Sequence, residues 1–182
     1  MTKAELAAIT TWDEYKLGNL FLFIPLLNDT IKIVLFPELD QETPEVTDKM
    51  TAIVNDLLQL KQDQLDRVKD LLWEECLFAF HVADYGVEPM EGESHVEAHL
   101  REFEISNAED AFAKSSIKEI HIADKFKNRY AEIKADTGSN NYISLIVKNG
   151  HIIDFGDDGV YLGWFEEDDL YLHKKRQQIL SS

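Results

Sequence analysis

Two histidines four apart, His95 and His99, flank Val96-Glu97-Ala98. On a helix they would share one face and could reach a common metal ion. The metalloprotease arrangement puts Glu directly after the first His, and here that residue is Val96. The sequence offers no third ligand, so the expectation is a solvated pair and no bound metal. Asp154-Phe155-Gly156-Asp157-Asp158-Gly159 packs three carboxylates into six residues. It lacks the alternating ligands and the closing bidentate Glu of a calcium loop, and reads as a hairpin strand followed by an acidic turn. Cys76 is the only cysteine. Its nearest base in sequence, His81, lies five residues on and off its helical face, and the apolar run around it would raise a thiol pKa. A buried structural cysteine is expected. The chain contains no nucleophile elbow, phosphate-binding glycine loop or paired-cysteine motif, so no catalytic residue and no cofactor are assigned.

The most suggestive run is Trp164-Phe165-Glu166-Glu167-Asp168-Asp169, two large aromatics followed by four consecutive carboxylates. Their mutual repulsion must be offset, and a cationic partner would do so. Trp beside acid also suits a protein interface. A core aromatic pair followed by a solvated loop is the competing reading. Asp157 and Asp158 precede this run by a few residues, so the candidate partner-binding set is Asp157, Asp158, Trp164, Phe165, Glu166, Glu167, Asp168 and Asp169.

Charge bounds the partners. Asp and Glu number 35 against 18 Lys and Arg, a formal net charge of −17. That field repels nucleic-acid phosphates and anionic membranes and attracts cations, although solubility alone is a competing explanation. The start has no signal-peptide order, and the most apolar run, Leu20 to Leu27, is short and interrupted by Pro25. With the lone thiol, these features predict a cytoplasmic protein.

The elements that must position these residues follow from periodicity. A short helix is expected over Glu5 to Lys16, ended by Gly18-Asn19. Leu20 to Ile24 and Ile31 to Phe36 read as a hairpin around Asn28-Asp29. Pro37 to Thr43 reads as an acidic loop. Thr43-Pro44-Glu45 looks like a helix start, and Val46, Met50, Ile53, Val54, Leu57 and Leu58 lay an apolar stripe behind it. A second helix, from about Asp63 to Ala83, carries a wide apolar face that marks it as central, with Gly86 as its stop. Glu88 to Asn107 has no clear assignment, and Ala108 to Ala113 reads as a short helix. Strands follow at Ile117 to Ile122, Arg129 to Ala135, Tyr142 to Lys148 and His151 to Phe155, the last two joined by the hairpin dipeptide Asn149-Gly150. Val160 to Leu162 is expected to return as a strand, and the tail from Leu170 as a helix. Strands at both ends and helices between predict one α+β domain over residues 1–182, with an antiparallel sheet packed against two central helices.

The strand at Ile117 to Ile122, then Arg129-Tyr130-Ala131-Glu132-Ile133, then Ile143 to Ile153 with its acidic turn, resembles the C-terminal half of a broad bacterial family of uncharacterised domains. That family is often found among immunity proteins of polymorphic toxin systems. The preceding helix, with Trp73-Glu74-Glu75 and its exit at Asp84-Tyr85-Gly86, is similar as well, so the likeness spans mainly residues 60–160. The resemblance implies a non-catalytic protein-binding module that neutralises a toxin, and the acidic charge points to a basic, nuclease-type toxin domain. The alternatives are a small enzyme or ligand-binding domain using scattered carboxylates and histidines, or a regulatory domain without a toxin partner. A deep pocket with converging polar groups would favour the enzyme or ligand-binding reading.

Overall fold

In a computed structural model, which describes residues 1–38 and 43–181, seven strands form one sheet in sequence order. Helix α1 (Lys3–Ile9) leads into β1 (Thr11–Trp12), β2 (Gly18–Ile24) and β3 (Asp29–Phe36). Four helices follow: α2 (Asp48–Leu58), α3 (Asp63–Val82), α4 (His95–Glu102) and α5 (Ala108–Ala113). The chain then returns through β4 (Ser116–Ala123), β5 (Tyr130–Asp136), β6 (Tyr142–Lys148) and β7 (His151–Asp157). A 3-10 helix (Leu162–Phe165) and α6 (Tyr171–Leu180) close it. Neighbouring strands are antiparallel except β3 and β4, which pair in parallel. A parallel pair needs a long crossover, and α2 to α5 supply it. The chain is thus α+β with a mostly antiparallel sheet.

Side chains alternate across the sheet and build two cores. On one face Ile31, Ile33 and Leu35 of β3, Ile120 and Ile122 of β4, Ala131, Ile133 and Ala135 of β5, and Ile143, Leu145 and Val147 of β6 join one buried cluster. The same cluster takes in Met50, Ile53, Val54 and Leu57 of α2 and Val68, Leu71, Leu72, Cys76 and Phe80 of α3. On the opposite face a smaller cluster of Tyr130, Ile146, Leu162 and Phe165 lies beneath the C-terminal segment. The hairpin between β6 and β7 turns on Asn149 (φ 49°) and Gly150 (φ 80°), the left-handed pair that the Asn-Gly dipeptide requires.

Four boundaries differ from the sequence expectation. The first helix ends at Ile9, and Thr11-Trp12 becomes a strand against β2 rather than a further helical turn. Helix α2 starts at Asp48, because Thr47, not Thr43, caps it by accepting from the Met50 N–H. Helix α4 occupies the unassigned acidic stretch, opened by a reciprocal capping box between Ser94 and Glu97. Val160 to Leu162 does not return as a strand: Leu162 and Phe165 turn inward to the second core, which imposes the 3-10 helix. Within the expected acidic loop, residues 39–42 lie outside the described residues.

Strand β7 is one edge of the sheet, opposite β1, and long side chains satisfy it. Gln64 accepts from the Ile152 N–H (2.7 Å), while Arg67 and Arg176 donate to the carbonyls of Ile153 (2.7 Å) and Phe155 (3.0 Å). An edge occupied in this way is closed to another strand.

Candidate functional site

The C-terminal shelf contains most of the residues the sequence singles out. Phe165 is fully buried and Leu162 nearly so, packed on Tyr130 and Ile146, and together they pin the 3-10 helix to the sheet. Phe165 is therefore an anchor and not a contact residue, a correction that follows from its place in the core. Trp164, the residue before it, is 44% exposed, beside Tyr161 at 56%. Their rings meet edge to face at 6.1 Å, and Trp164 leans on Tyr171 at 5.4 Å. The Lys175 ammonium lies over both the Tyr171 and Trp164 rings, at 4.7 and 5.7 Å. Trp164 is thus held in one pose while its outer face meets solvent.

The carboxylate run is tolerated because most of it has internal partners. Glu166 accepts from the Asn128 side-chain amide at 2.7 Å, Asp168 pairs with Lys174 at 2.7 Å and Asp169 with Lys148 at 2.6 Å. Lys148 also donates to the backbone carbonyls of Phe165 and Glu166, tying the shelf to β6. The hydrogen bond from Lys174 holds the Asp168 carboxyl below the usual range. Glu167 is exposed. Asp158 stands apart from the run, bonded to Lys134 on the sheet at 2.9 Å. Asp157 stands apart too, on the rim of a groove.

That groove, of about 500 Å³, lies between the end of α3, the β6–β7 pair and α6. Phe78, Val82, Ile143 and Ile179 give it apolar walls, and Glu75, Asn141 and Tyr85 make its polar end. Glu75 is only 2% exposed. Its carboxylate accepts from Ser139 Oγ and from Asn141 Nδ2 (2.8 Å), both supplied by the turn between β5 and β6. Gly138 lets this turn sit close, since a Cβ there would come within 2.7 Å of the Ile105 side chain. Burial pushes the Glu75 carboxyl up, against the pull of those hydrogen bonds. The same burial, with the charge of Glu75 next to it, pushes the Cys76 thiol up to about 12. That makes Cys76 a poor nucleophile.

Two further constellations have structural explanations. On the open sheet face Lys134, 2% exposed, binds Glu132, Asp158 and Ser144 Oγ at 2.8, 2.9 and 2.7 Å. A lysine beside serine suggests a nucleophile and its base. The two carboxylates, however, hold the ammonium protonated, its pKa raised in spite of burial. In the second, Asp84, His95 and His99 bring one ligand atom each within 4.8 Å of one another, so the structure adds the third group that sequence spacing left out. Yet both His99 nitrogens are engaged: Nδ1 lies 2.7 Å from the His95 carbonyl, and Nε2 accepts the Tyr85 N–H at 3.2 Å. With its one lone pair already facing an N–H donor, buried His99 is fixed as the clamp between α4 and the α3 exit.

Sequence reasoning missed the groove, because Glu75 and Asn141 are 66 residues apart. It missed the sheet-face network as well, although Glu132 and Lys134 alternate at strand spacing and so must share a face. No family model, curated protein or solved structure matches the chain. None of the described helices is long and apolar enough to cross a membrane.

Proposed function

We propose that the chain is an acidic protein-binding module, and that it acts as an immunity protein neutralising a cationic, nuclease-type toxin domain. The observation that carries this reading is the exposed Trp164–Tyr161 pair, held rigid on a shelf rimmed by Glu167, Asp168 and Asp169. Aromatic anchors of this kind concentrate binding energy at interfaces because they present a large area with little side-chain entropy to lose. The net charge of −17 supplies a steering field toward a basic partner. In this reading the site does no chemistry: Trp164 and Tyr161 are the contacts, Glu167 the outward charge, and Phe165 the buried foundation.

The reading requires a basic toxin domain encoded beside this chain, and the test is association with that domain, followed at two salt concentrations. Association should slow as salt rises, and Glu167→Lys should slow it further while leaving the fold intact. An association rate indifferent to both would remove the electrostatic part of the reading. A second reading, a ligand-binding domain, is favoured by one observation, the groove that ends at buried Glu75.

A further inference from the structure

Among the described residues, no lysine, arginine or histidine is paired with Glu75, whereas its neighbour Glu74 is held by both His173 and Arg176. The donors around Glu75 are all neutral. Ser139 Oγ lies 2.9 Å from each carboxylate oxygen but has a single proton to give, and it also faces Thr137 Oγ1 at 2.9 Å. Asn141 gives one more hydrogen bond, and Thr137 and the Cys76 thiol are further neutral donors to the same carboxylate. A buried carboxylate held only by neutral donors and with no counter-charge is costly, and a cation reaching it would relieve that cost.

The groove that Glu75 lines is shaped for such a cation with an apolar stem. Phe78, Val82, Ile143 and Ile179 line its sides, and exposed Asp157 adds a second negative charge at the rim. The two cations on its α6 wall are already committed. Arg176 is bonded to Asp154 and Glu74 and stacked on Phe155, and Lys175 sits over the Tyr171 and Trp164 rings. We propose that this groove binds an amphipathic cation, an alkylammonium or alkylguanidinium group, with the stem on the apolar walls and the charged head at Glu75 and Asn141. Lysine and arginine side chains have this chemistry, as do free aliphatic amines. The proposal stands independently of the toxin reading.

Calorimetric titration of the whole chain with hexylammonium, hexanol and doubly capped lysine tests it. Hexylammonium should bind at least about tenfold more tightly than hexanol, a gap of about 1.4 kcal/mol. Glu75→Gln should shrink that gap to about twofold, because the walls remain and the charge is gone. Val82→Trp, at a half-exposed wall position, should weaken hexylammonium by about tenfold or more, and it keeps the test valid if Glu75→Gln fails to fold. Capped lysine binding more tightly than hexylammonium would assign the groove to a partner's side chain, and the reverse order to a free amine. The proposal is overturned if neither cation binds, if hexanol binds as well as hexylammonium, or if Val82→Trp leaves hexylammonium binding unchanged.

Discussion

Arg176→Met should be among the most damaging single substitutions in the chain. Arg176 is 6% exposed and Asp154 fully buried. The guanidinium donates to the Asp154 carboxylate, to the Phe155 carbonyl at 3.0 Å and to Glu74 at 3.1 Å, and it stacks on the Phe155 ring at 3.7 Å. Methionine keeps much of the volume but leaves Asp154 with only the His173 and Phe155 N–H groups, each at 2.9 Å. An uncompensated buried charge of this kind costs about 3–5 kcal/mol. That is a large part of the roughly 5–15 kcal/mol that holds a domain folded. Asp154→Asn in the Arg176→Met background removes the stranded charge while keeping an acceptor, and should recover more than about 1 kcal/mol. Lys174→Met, which breaks a solvent-screened pair with Asp168, should leave the unfolding midpoint close to wild type. Urea unfolding followed by circular dichroism measures all four proteins. A loss below about 1 kcal/mol for Arg176→Met, or no recovery in the double variant, would refute the view that this buried cluster fastens α6 to β7 and α3.

Other expected outcomes follow from the same geometry. Cys76 should resist alkylation in the native protein and react only on unfolding, since burial pushes its thiol up to about 12; rapid native labelling seen by mass spectrometry would contradict this. Glu75 titrates at the ordinary carboxylate value when unfolded and higher when folded, so between the two the folded state holds the extra proton and stability falls as pH rises. The stability of the wild type minus that of Glu75→Gln should therefore decline through that window and level off above it, as read from urea midpoints; a rising difference would mean the carboxylate is stabilised as a charge. Elemental analysis should find no stoichiometric zinc, because the lone pair of His99 is taken by the Tyr85 N–H; about one zinc per chain, lost in His95→Ala, would reverse that.

Local signals in the sequence located most of the sheet. Asn149-Gly150 needs positive φ at both residues, and the alternation in β4 to β7 assigns side chains to faces, so these strands emerge within about two residues of their observed ends. The Ser94–Glu97 capping box was equally visible, but the charged residues around it hid the short helix it opens. At Thr43 and Thr47 two cap candidates compete. The contact that separates them, from the Thr47 hydroxyl to Asp124 at 2.6 Å, spans 77 residues. The candidate site was legible only in part. Trp164 and the acids share a shelf as adjacent residues must, but burial of Phe165 beside an exposed Trp164 depends on Tyr130 and Ile146 beneath it. The internal partners of the acids, Lys148, Lys174 and Asn128, come from two other elements and a loop. Pairings of that kind are set by tertiary packing and leave no pattern in a local window of sequence.

The proposed function requires a basic toxin domain encoded beside this chain, and the dissociation rate of the Trp164→Ala variant from such a domain tests the proposal most directly. Trp164 lies on the surface of the shelf and Phe165 does the anchoring, so the substitution should leave the circular dichroism spectrum and the unfolding midpoint close to wild type. If Trp164 is the interface anchor, dissociation should accelerate by about thirtyfold or more, which corresponds to about 2 kcal/mol, while association changes little. An unchanged dissociation rate in a folded variant, or no binding of that toxin domain by the wild type, would contradict the account.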